Sequence, residues 1–312
     1  MPALSWSGWQ PLPLDPPLRD PAIIAELLDG GQSFRWWRLT APAETWLGIW
    51  NSRIVQLEFS TDETRWRTLS NPAKTAERDL QRYFGSGAGE ANPIDSLPWR
   101  SDPHLARCLS EFPGLRILRQ PFGETLLAFL CSATKQIVQI KQMLALLAER
   151  HGAALITPVE REALFSPSTG LSFPALHRLP TWAELAQVPE AELRACLLGF
   201  RARYIHQTAQ FLAAHPGWLE ETEQLPYPEA KVRLCSLPGV GEKVADCVLL
   251  FGAGRLEAFP VDVWILKAMT AHYGLDDWKP AQVAHFGRVH FGALAGLAQQ
   301  YLFAYERRHR RR

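Results

Sequence analysis

The sequence is poor in cysteine, and the spacing of its cysteines excludes the common metal sites. It has five cysteines among 312 residues, and no two of them form the C-x-x-C pair that zinc ribbons and iron–sulfur clusters use. We therefore expect no metal site and no cofactor. Widely spaced cysteines of odd number fit reduced thiols in a reducing compartment.

Long apolar runs are also lacking. Residues 1–7 contain no basic region followed by an apolar segment, so they do not resemble a secretion signal. No later stretch reaches the roughly 20 apolar residues that a transmembrane helix needs. We expect a soluble, intracellular protein without a membrane partner.

Neither sign of charge is in excess. The 33 Lys and Arg residues nearly balance the 32 Asp and Glu residues, and the formal net charge is +1. With so little bulk attraction, any binding of nucleic acid must come from local patches and helix termini. The length and the apolar fraction of 47% suffice for two or three well-packed domains.

The two parts of the chain differ in predicted secondary structure. Short aromatic and β-branched runs at Ser33–Leu39, Thr45–Asn51 and Ile54–Phe59 predict antiparallel strands. A linker rich in Gly, Ala, Asn and Pro is predicted at Gly85–Pro98. We therefore predict an α+β fold, with an N-terminal antiparallel β-sheet domain at residues 1–98 and a mainly α-helical domain at residues 99–312.

Helical periodicity dominates after the linker. A helix is predicted at Thr75–Phe84, and further helices are predicted at Pro103–Glu111, Gly123–Arg150, Thr181–Val188, Glu190–Leu198, Arg201–Ala214, Tyr227–Cys235, Glu242–Phe251, Val263–Tyr273 and Ala281–Tyr305, the last with Gly292 as a candidate break.

A glycine-rich hairpin carries the first candidate chemistry. Gly239 and Gly241 permit a tight turn between two helices, and the backbone amides of this turn, with Val240, suit a phosphate group. Lys243 follows immediately and has two interpretations. The hairpin alone favours a phosphate contact. The alternative is a nucleophile, because a helix N-terminus and burial both favour a neutral amine.

Asp262 lies directly before the apolar run Val263–Leu266, so its side chain is expected to cap a helix. Capping alone would explain such an aspartate. If Asp262 also faces Lys243, however, an amine and a carboxylate share one site. That pair would be able to attack a sugar.

Several segments together resemble the 8-oxoguanine DNA glycosylases. The hairpin with Pro260–Val263 looks like the family's helix-hairpin-helix and Gly/Pro-Asp motif. Three other segments resemble its base-recognition turn, its intercalation segment and its C-terminal pocket helix: Gly31–Trp36, Phe200–Tyr204 and Gly296–Gln299 with Phe303. The matches span nearly the whole chain in the family's order. They imply that the helical domain is a helix-hairpin-helix glycosylase domain.

The resemblance implies a bifunctional enzyme that flips 8-oxoguanine, and its formamidopyrimidine analogue, out of duplex DNA and excises it. The Asp262 carboxylate would stabilise positive charge on the sugar. Lys243 would attack the anomeric carbon, and the resulting Schiff base would permit cleavage 3′ to the lesion by β-elimination. A monomer is expected, in the cytoplasm or nucleoid of a bacterium or in the nucleus of a eukaryote.

Base recognition is also implied by the resemblance. The carbonyl of Gly31 would accept the hydrogen that 8-oxoguanine carries on N7. Gln299 would bind the Watson–Crick edge, while Cys247 and Phe303 would enclose the ring. Without the resemblance, Gly31 is equally well explained as a turn residue and Cys247 as a buried core thiol.

The intercalation segment would contact the DNA around the extruded base. By resemblance, Phe200 fills the gap and Arg201 binds the estranged cytosine, while Arg203 contacts a phosphate. The same residues fit a solvated helix start equally well when they are considered alone.

Three positions depart from the family's pattern. Thr134 is the first of three residues that replace the family's asparagine run, and Gln139 replaces a second arginine expected at the opposite cytosine. A good base contact contributes about 1 to 3 kcal/mol, so we predict a looser preference for cytosine opposite the lesion. Trp264 replaces a frequent histidine near the phosphate of the damaged nucleotide, so that contact is expected to change.

Two rival functions stay open at this point. An alkylated-base glycosylase would keep Asp262 and the hairpin but would not need Lys243. A noncatalytic DNA-binding module would use the hairpin for phosphates and Asp262 only as a cap. Endonuclease III and adenine glycosylase relatives should carry a C-terminal cysteine quartet, which this sequence lacks.

Overall fold

The structure is a computed structural model that describes residues 5–39, 44–50, 52–69, 76–85, 93–164 and 176–309. The chain divides into two compact units, each formed from two stretches. Unit 1 comprises residues 1–86 and 130–216, and unit 2 comprises residues 87–129 and 217–312. The domain boundary predicted at residue 98 stays a prediction, and residues 86–92 of the predicted linker lie outside the described residues.

Unit 1 contains an antiparallel sheet of five strands in the order β1-β5-β4-β3-β2. The strands are β1 (Gln10–Pro11), β2 (Trp36–Leu39), β3 (Glu44–Trp50), β4 (Arg53–Phe59) and β5 (Thr64–Thr68). Trp36 pairs with Gly48 on β3, where a Cβ atom would lie 2.3 Å from the indole ring. The glycine therefore makes room for a tryptophan that is 1% exposed.

The helices are α1 (Pro21–Asp29), α2 (Ala76–Tyr83), α3 (Pro103–Glu111), α4 (Phe122–Leu130), α5 (Ile137–His151), α6 (Pro158–Leu164), α7 (Trp182–Gln187), α8 (Glu190–Leu193), α9 (Arg201–Ala214), α10 (Trp218–Gln224), α11 (Tyr227–Cys235), α12 (Glu242–Phe251), α13 (Val263–Tyr273), α14 (Pro280–Phe291) and α15 (Ala295–His309). A π-helical turn at Arg194–Leu198 precedes α9. The predicted α+β class, with an N-terminal antiparallel sheet and a mostly helical remainder, is confirmed.

The single helix predicted at Gly123–Arg150 is wrong, because the structure has two helices there, α4 and α5. Between them Thr134 has a φ of 54°, which no α-helix contains. The new helix begins with a capping box in which the Gln136 amide donates to Oε1 of Gln139 over 3.2 Å. Apolar periodicity runs across the break, so the pattern alone did not reveal it.

Other element boundaries follow local signals. The predicted break at Gly292 is confirmed, since its φ is 66° and α14 ends just before it. Helix α1 was not predicted, although Asp20 caps it by accepting from the Ala22 amide over 2.8 Å and a proline follows the cap. Among the described helices, none is long and apolar enough to cross a membrane.

Helix α12 is the buried centre of unit 2, since its residues from Val244 to Phe251 are all buried. Helix α15 packs closely against it at Gly296, where a Cβ atom would lie 2.4 Å from the Leu250 side chain. This close approach fixes α15 relative to α12, the helix that carries Lys243 in its first turn.

Candidate active site

The turn between α11 and α12 has the geometry predicted for the hairpin. Gly239 has a φ of 79°, the left-handed conformation that favours glycine. The Val240 amide closes the turn by donating to the Leu237 carbonyl over 3.1 Å. Gly241 precedes α12 with no side chain to cap it, and a Cβ atom there would meet nothing within 4 Å. The open turn and the first amides of α12 therefore suit an approaching anion.

Lys243 is half-buried in the first turn of α12. Its Nζ lies 5.3 Å from the centroid of the Phe129 ring and interacts electrostatically with Asp262. The amine also hydrogen-bonds the thiol of Cys247, one helical turn further along. The structure thus brings an amine, a carboxylate and a thiol into one site within unit 2.

Asp262 both caps a helix and faces the amine. Its Oδ1 accepts from the Trp264 amide over 3.0 Å and from the Ile265 amide over 2.9 Å. Burial raises the pKa of Asp262, while these backbone donors and Lys243 oppose the rise. The cap holds the carboxylate in place, so the two interpretations of this aspartate are compatible.

The Cys247 thiol and the Gln299 amide are both buried, each with 3% exposure. Burial raises the pKa of Cys247 to about 11, although Lys243 opposes the rise, so the thiol is neutral at neutral pH. Gln299 donates from Nε2 to the Pro260 carbonyl over 3.1 Å and accepts from Gln300 over 2.7 Å. Within the described part of the chain these two hydrogen bonds leave one N–H and one lone pair of the amide for a ligand.

Phe303 is half-buried and lies one turn after Gln299 on α15. The two side chains therefore lie on the same helix face. The guanidinium of Arg307 is 5.5 Å from the centroid of the Phe303 ring.

Sequence reasoning missed the groups that support Lys243. Phe129 contributes its ring, which stacks on Phe251 at 5.5 Å. Asp246, 1% exposed, accepts from the Tyr227 hydroxyl over 2.7 Å and from Lys231 Nζ over 3.1 Å, which ties α11 to α12. The sequence did contain a signal for Asp246, because this aspartate interrupts the apolar run of α12. A buried carboxylate requires partners, so polar groups were to be expected beside it.

In unit 1, Gly31 follows α1 with a φ of 113°, a conformation that L side chains rarely adopt. The neighbouring Ser33 hydroxyl donates to the Leu28 carbonyl over 3.0 Å and secures the turn. The interpretation as a turn residue therefore holds for Gly31, and its role in base recognition stays a prediction.

The intercalation segment divides into exposed and buried residues. Phe200 is 54% exposed and Arg203 is exposed, as contacts with DNA require. Arg201 is only 3% exposed. Its guanidinium donates to the Leu198 carbonyl over 3.2 Å, to the Thr134 hydroxyl over 3.0 Å and to the Ala133 carbonyl. Arg201 thus links the connection between α4 and α5 to the start of α9.

The three positions that depart from the family's pattern have local roles in the structure. Thr134 accepts from Arg201, and Gln139 completes the capping box of α5. Trp264 donates its amide to Asp262, and its ring lies 5.2 Å from Nζ of Lys267. Their roles toward DNA stay predictions.

Among the described residues, one group has the donors and spacing for a metal ion: His104, His272 and Glu306, whose ligand atoms lie within 4.8 Å of one another. The imidazoles of His104 and His272 are stacked nearly parallel, at 3.6 Å and 14°. Zinc ligands converge tetrahedrally on one point, and parallel rings do not. We describe the group as a polar contact between α3, α13 and α15.

Two known protein families match the chain along most of its length. The family model for the N-terminal domain of 8-oxoguanine DNA glycosylase matches residues 20–126, and the model for HhH-GPD superfamily base excision DNA repair proteins matches residues 127–288. The N-glycosylase/DNA lyase OGG1 of Arabidopsis thaliana is 34% identical over 291 residues, which cover 88% of this chain and 75% of that protein.

Similarity extends to a second relative and to a solved structure. A probable N-glycosylase/DNA lyase of Methanothermobacter thermautotrophicus is 31% identical over 252 residues, or 76% of this chain and 77% of that one. The crystal structure of Clostridium acetobutylicum 8-oxoguanine glycosylase/lyase, bound to double-stranded DNA with cytosine opposite 8-oxoguanine, has a TM-score of 0.79, 30% identity and 92% coverage of both chains. This chain therefore belongs to the 8-oxoguanine DNA glycosylase family of the helix-hairpin-helix base excision repair superfamily.

Proposed function

We propose that this protein is a bifunctional base excision repair enzyme. It excises 8-oxoguanine, and its formamidopyrimidine analogue, from duplex DNA and then cuts the strand. The observation that carries the proposal is the position of Lys243, whose half-buried amine lies beside the Asp262 carboxylate and the Cys247 thiol. A lysine that only contacted phosphate would not need a half-buried carboxylate as its neighbour.

The proposed reaction uses this pair in two steps. Asp262 stabilises the positive charge that develops on the sugar, and Lys243 attacks C1′ as the bond to the base breaks. Loss of a proton and ring opening give a Schiff base between Nζ and C1′. This group acidifies the 2′ hydrogen, whose removal expels the 3′ phosphate by β-elimination.

Recognition of the base is proposed for neighbouring side chains. Gln299 would use its remaining N–H and lone pair on the Watson–Crick edge, and the neutral thiol of Cys247 and the ring of Phe303 would enclose the base. The Gly31 carbonyl would accept the N7 hydrogen, which guanine lacks.

Duplex DNA is the proposed partner. The turn formed by Gly239, Val240 and Gly241 would bind a backbone phosphate, as its open side and the start of α12 support. Phe200 would fill the gap left by the base. We propose a monomer that acts where genomic DNA lies, in the cytoplasm or nucleoid of a bacterium or in the nucleus of a eukaryote.

Borohydride trapping tests the proposed nucleophile. The wild-type protein and a duplex with 8-oxoguanine opposite cytosine should give a covalent adduct, because borohydride reduces the Schiff base to a stable amine. Lys243→Gln should abolish the adduct. Lys279→Gln, a change of an exposed lysine that precedes α14, is the matched control and should trap like the wild type.

The same assay separates the rival functions. Release of alkylated bases without trapping would indicate an alkylated-base glycosylase, and binding with neither release nor trapping would indicate a DNA-binding module. An adduct that persists in Lys243→Gln would refute the assigned nucleophile.

Opposite-base selectivity is tested by trapping with each of the four bases opposite 8-oxoguanine. We expect weak preference for cytosine, because Thr134 and Gln139 stand at the altered positions and Gln139 is engaged in a capping box. Gln139→Arg restores the expected arginine. It should increase the ratio of adduct trapped with cytosine opposite the lesion to adduct trapped with adenine opposite the lesion. Strict cytosine preference in the wild type would contradict this prediction.

A further inference from the structure

The turn before α9 exposes two large apolar side chains in unit 1. Leu197 is 51% exposed and Phe200 is 54% exposed. Leu197 also has a φ of 63° and a ψ of 16°, in the left-handed region. Among the non-glycine residues with positive φ that the structure describes, it alone is apolar.

This combination is unfavourable in the free protein. A leucine in the left-handed region is strained because its Cβ approaches the backbone. An apolar side chain in water also loses the stabilisation that burial would give it. Glycine at position 197 would remove both costs. Strained residues of this kind collect at functional sites, where the surrounding structure holds them.

The surrounding structure does hold Leu197 outward. Its neighbours Cys196 and Leu198 are both fully buried, so the side chain between them cannot turn inward without displacing one of them. Three guanidinium groups bind carbonyls of the same turn: Arg150 to Ala195 over 2.9 Å, Arg194 to Gly199 over 3.2 Å and Arg201 to Leu198 over 3.2 Å. The exposed leucine is therefore presented on a rigid turn.

We propose that Leu197 is a second apolar wedge for the DNA duplex, beside Phe200. The inference rests on the proposed function of the Phe200 segment. When Phe200 fills the gap left by the extruded base, Leu197 packs against the adjoining base pair from the minor groove. Apolar wedges of this type offset the cost of unstacking. The exposed Arg203 on the same segment suits the phosphate charge beside them.

Leu197→Gly tests the wedge without endangering the fold, because glycine adopts this backbone conformation freely. The variant should be at least as stable as the wild type. Its single-turnover excision of 8-oxoguanine from a duplex should be roughly tenfold slower. Cleavage at a preformed abasic site should stay within about twofold of the wild type, since no paired base must be extruded there.

Two further variants separate the side chain from the backbone. Leu197→Ala removes the wedge but keeps the strain, so it should lose excision like Leu197→Gly while being less stable than that variant. Val159→Ala removes a 77% exposed valine from α6 and should leave excision unchanged.

A wild-type rate of excision by Leu197→Gly would overturn the proposed wedge. Equal losses of excision and of abasic-site cleavage would also overturn it, because they would indicate that the variant binds DNA more weakly in general. A wild-type protein that releases no 8-oxoguanine would instead refute the proposed function, and the wedge with it.

Discussion

At the residue scale, Asp262 caps α13 and has a proposed second role in base excision, and a single substitution separates the two roles. Asparagine also caps helices well, so Asp262→Asn keeps an acceptor for the Trp264 and Ile265 amides while removing the charge. We expect single-turnover excision to fall by at least about 100-fold, the scale of losing one electrostatic stabiliser of a transition state. An unchanged rate of excision would show that Asp262 acts only as a helix cap.

The raised pKa of Asp262 adds a dependence on pH. In the range between the ordinary aspartate pKa and the raised one, the folded protein binds more protons than the unfolded chain, so this group's contribution to stability falls as pH rises. Asp262→Asn should therefore be more stable than the wild type at neutral pH, and the difference should shrink in acid. Denaturant unfolding at several pH values measures it. A variant less stable than the wild type at neutral pH would contradict the argument.

At the scale of elements, the hairpin contains two glycines with different purposes. Gly239 needs its positive φ, so Gly239→Ala should destabilise the protein by about 1 to 2 kcal/mol. Gly241 has an ordinary φ of −92° and open space around it. Gly241→Ala should therefore cost less stability, and yet its methyl group would obstruct the phosphate and weaken DNA binding by roughly tenfold.

Denaturant unfolding and fluorescence anisotropy with a labelled duplex provide the two measurements for this pair of variants. Each serves as the control for the other, since the methyl group added is the same. Equal DNA affinities for folded Gly241→Ala and the wild type would exclude the turn as a phosphate site.

The contact between α3, α13 and α15 should weaken in acid. Burial and the neighbouring His272 lower the pKa of His104 to about 4 from 6.5. The unfolded chain therefore takes up more protons between these values, and stability falls as pH decreases from about 6.5 to about 4. The loss is on the order of 2 to 3 kcal/mol. Denaturant unfolding of His104→Gln should not show this loss of stability in acid. His285→Gln, which changes an exposed histidine, should still show it.

Local signals explain which parts of the site could be predicted. Asp262 precedes an apolar run and Gly239 lies in a glycine-rich turn, so their conformations follow from neighbours in sequence. Arg201 is different, because its burial depends on Thr134, which lies 67 residues earlier in the chain. Phe129 reaches Lys243 by another contact between residues far apart in sequence. Periodicity and motifs carry no information on such contacts, which tertiary packing determines.

At the scale of the whole molecule, the net charge of +1 limits how the protein holds DNA. The overall electrostatic attraction between the protein and DNA is therefore small. Contacts between individual cationic side chains and phosphates should dominate the salt dependence of the DNA affinity. Arg203 is exposed in the segment that would meet DNA. Arg203→Gln should reduce the slope of log affinity against log salt by about 0.9, the release expected for one phosphate contact.

A phosphate contact reads no base, so Arg203→Gln should weaken binding to damaged and undamaged duplexes by the same factor. The ratio of the two affinities, measured by anisotropy over a salt series, should therefore stay constant. Arg19→Gln, which removes an exposed arginine before α1, is the charge-matched control and should leave the slope unchanged. A loss confined to the damaged duplex would show instead that Arg203 contributes to recognition of the lesion, because only a contact that depends on the extruded base distinguishes the two substrates.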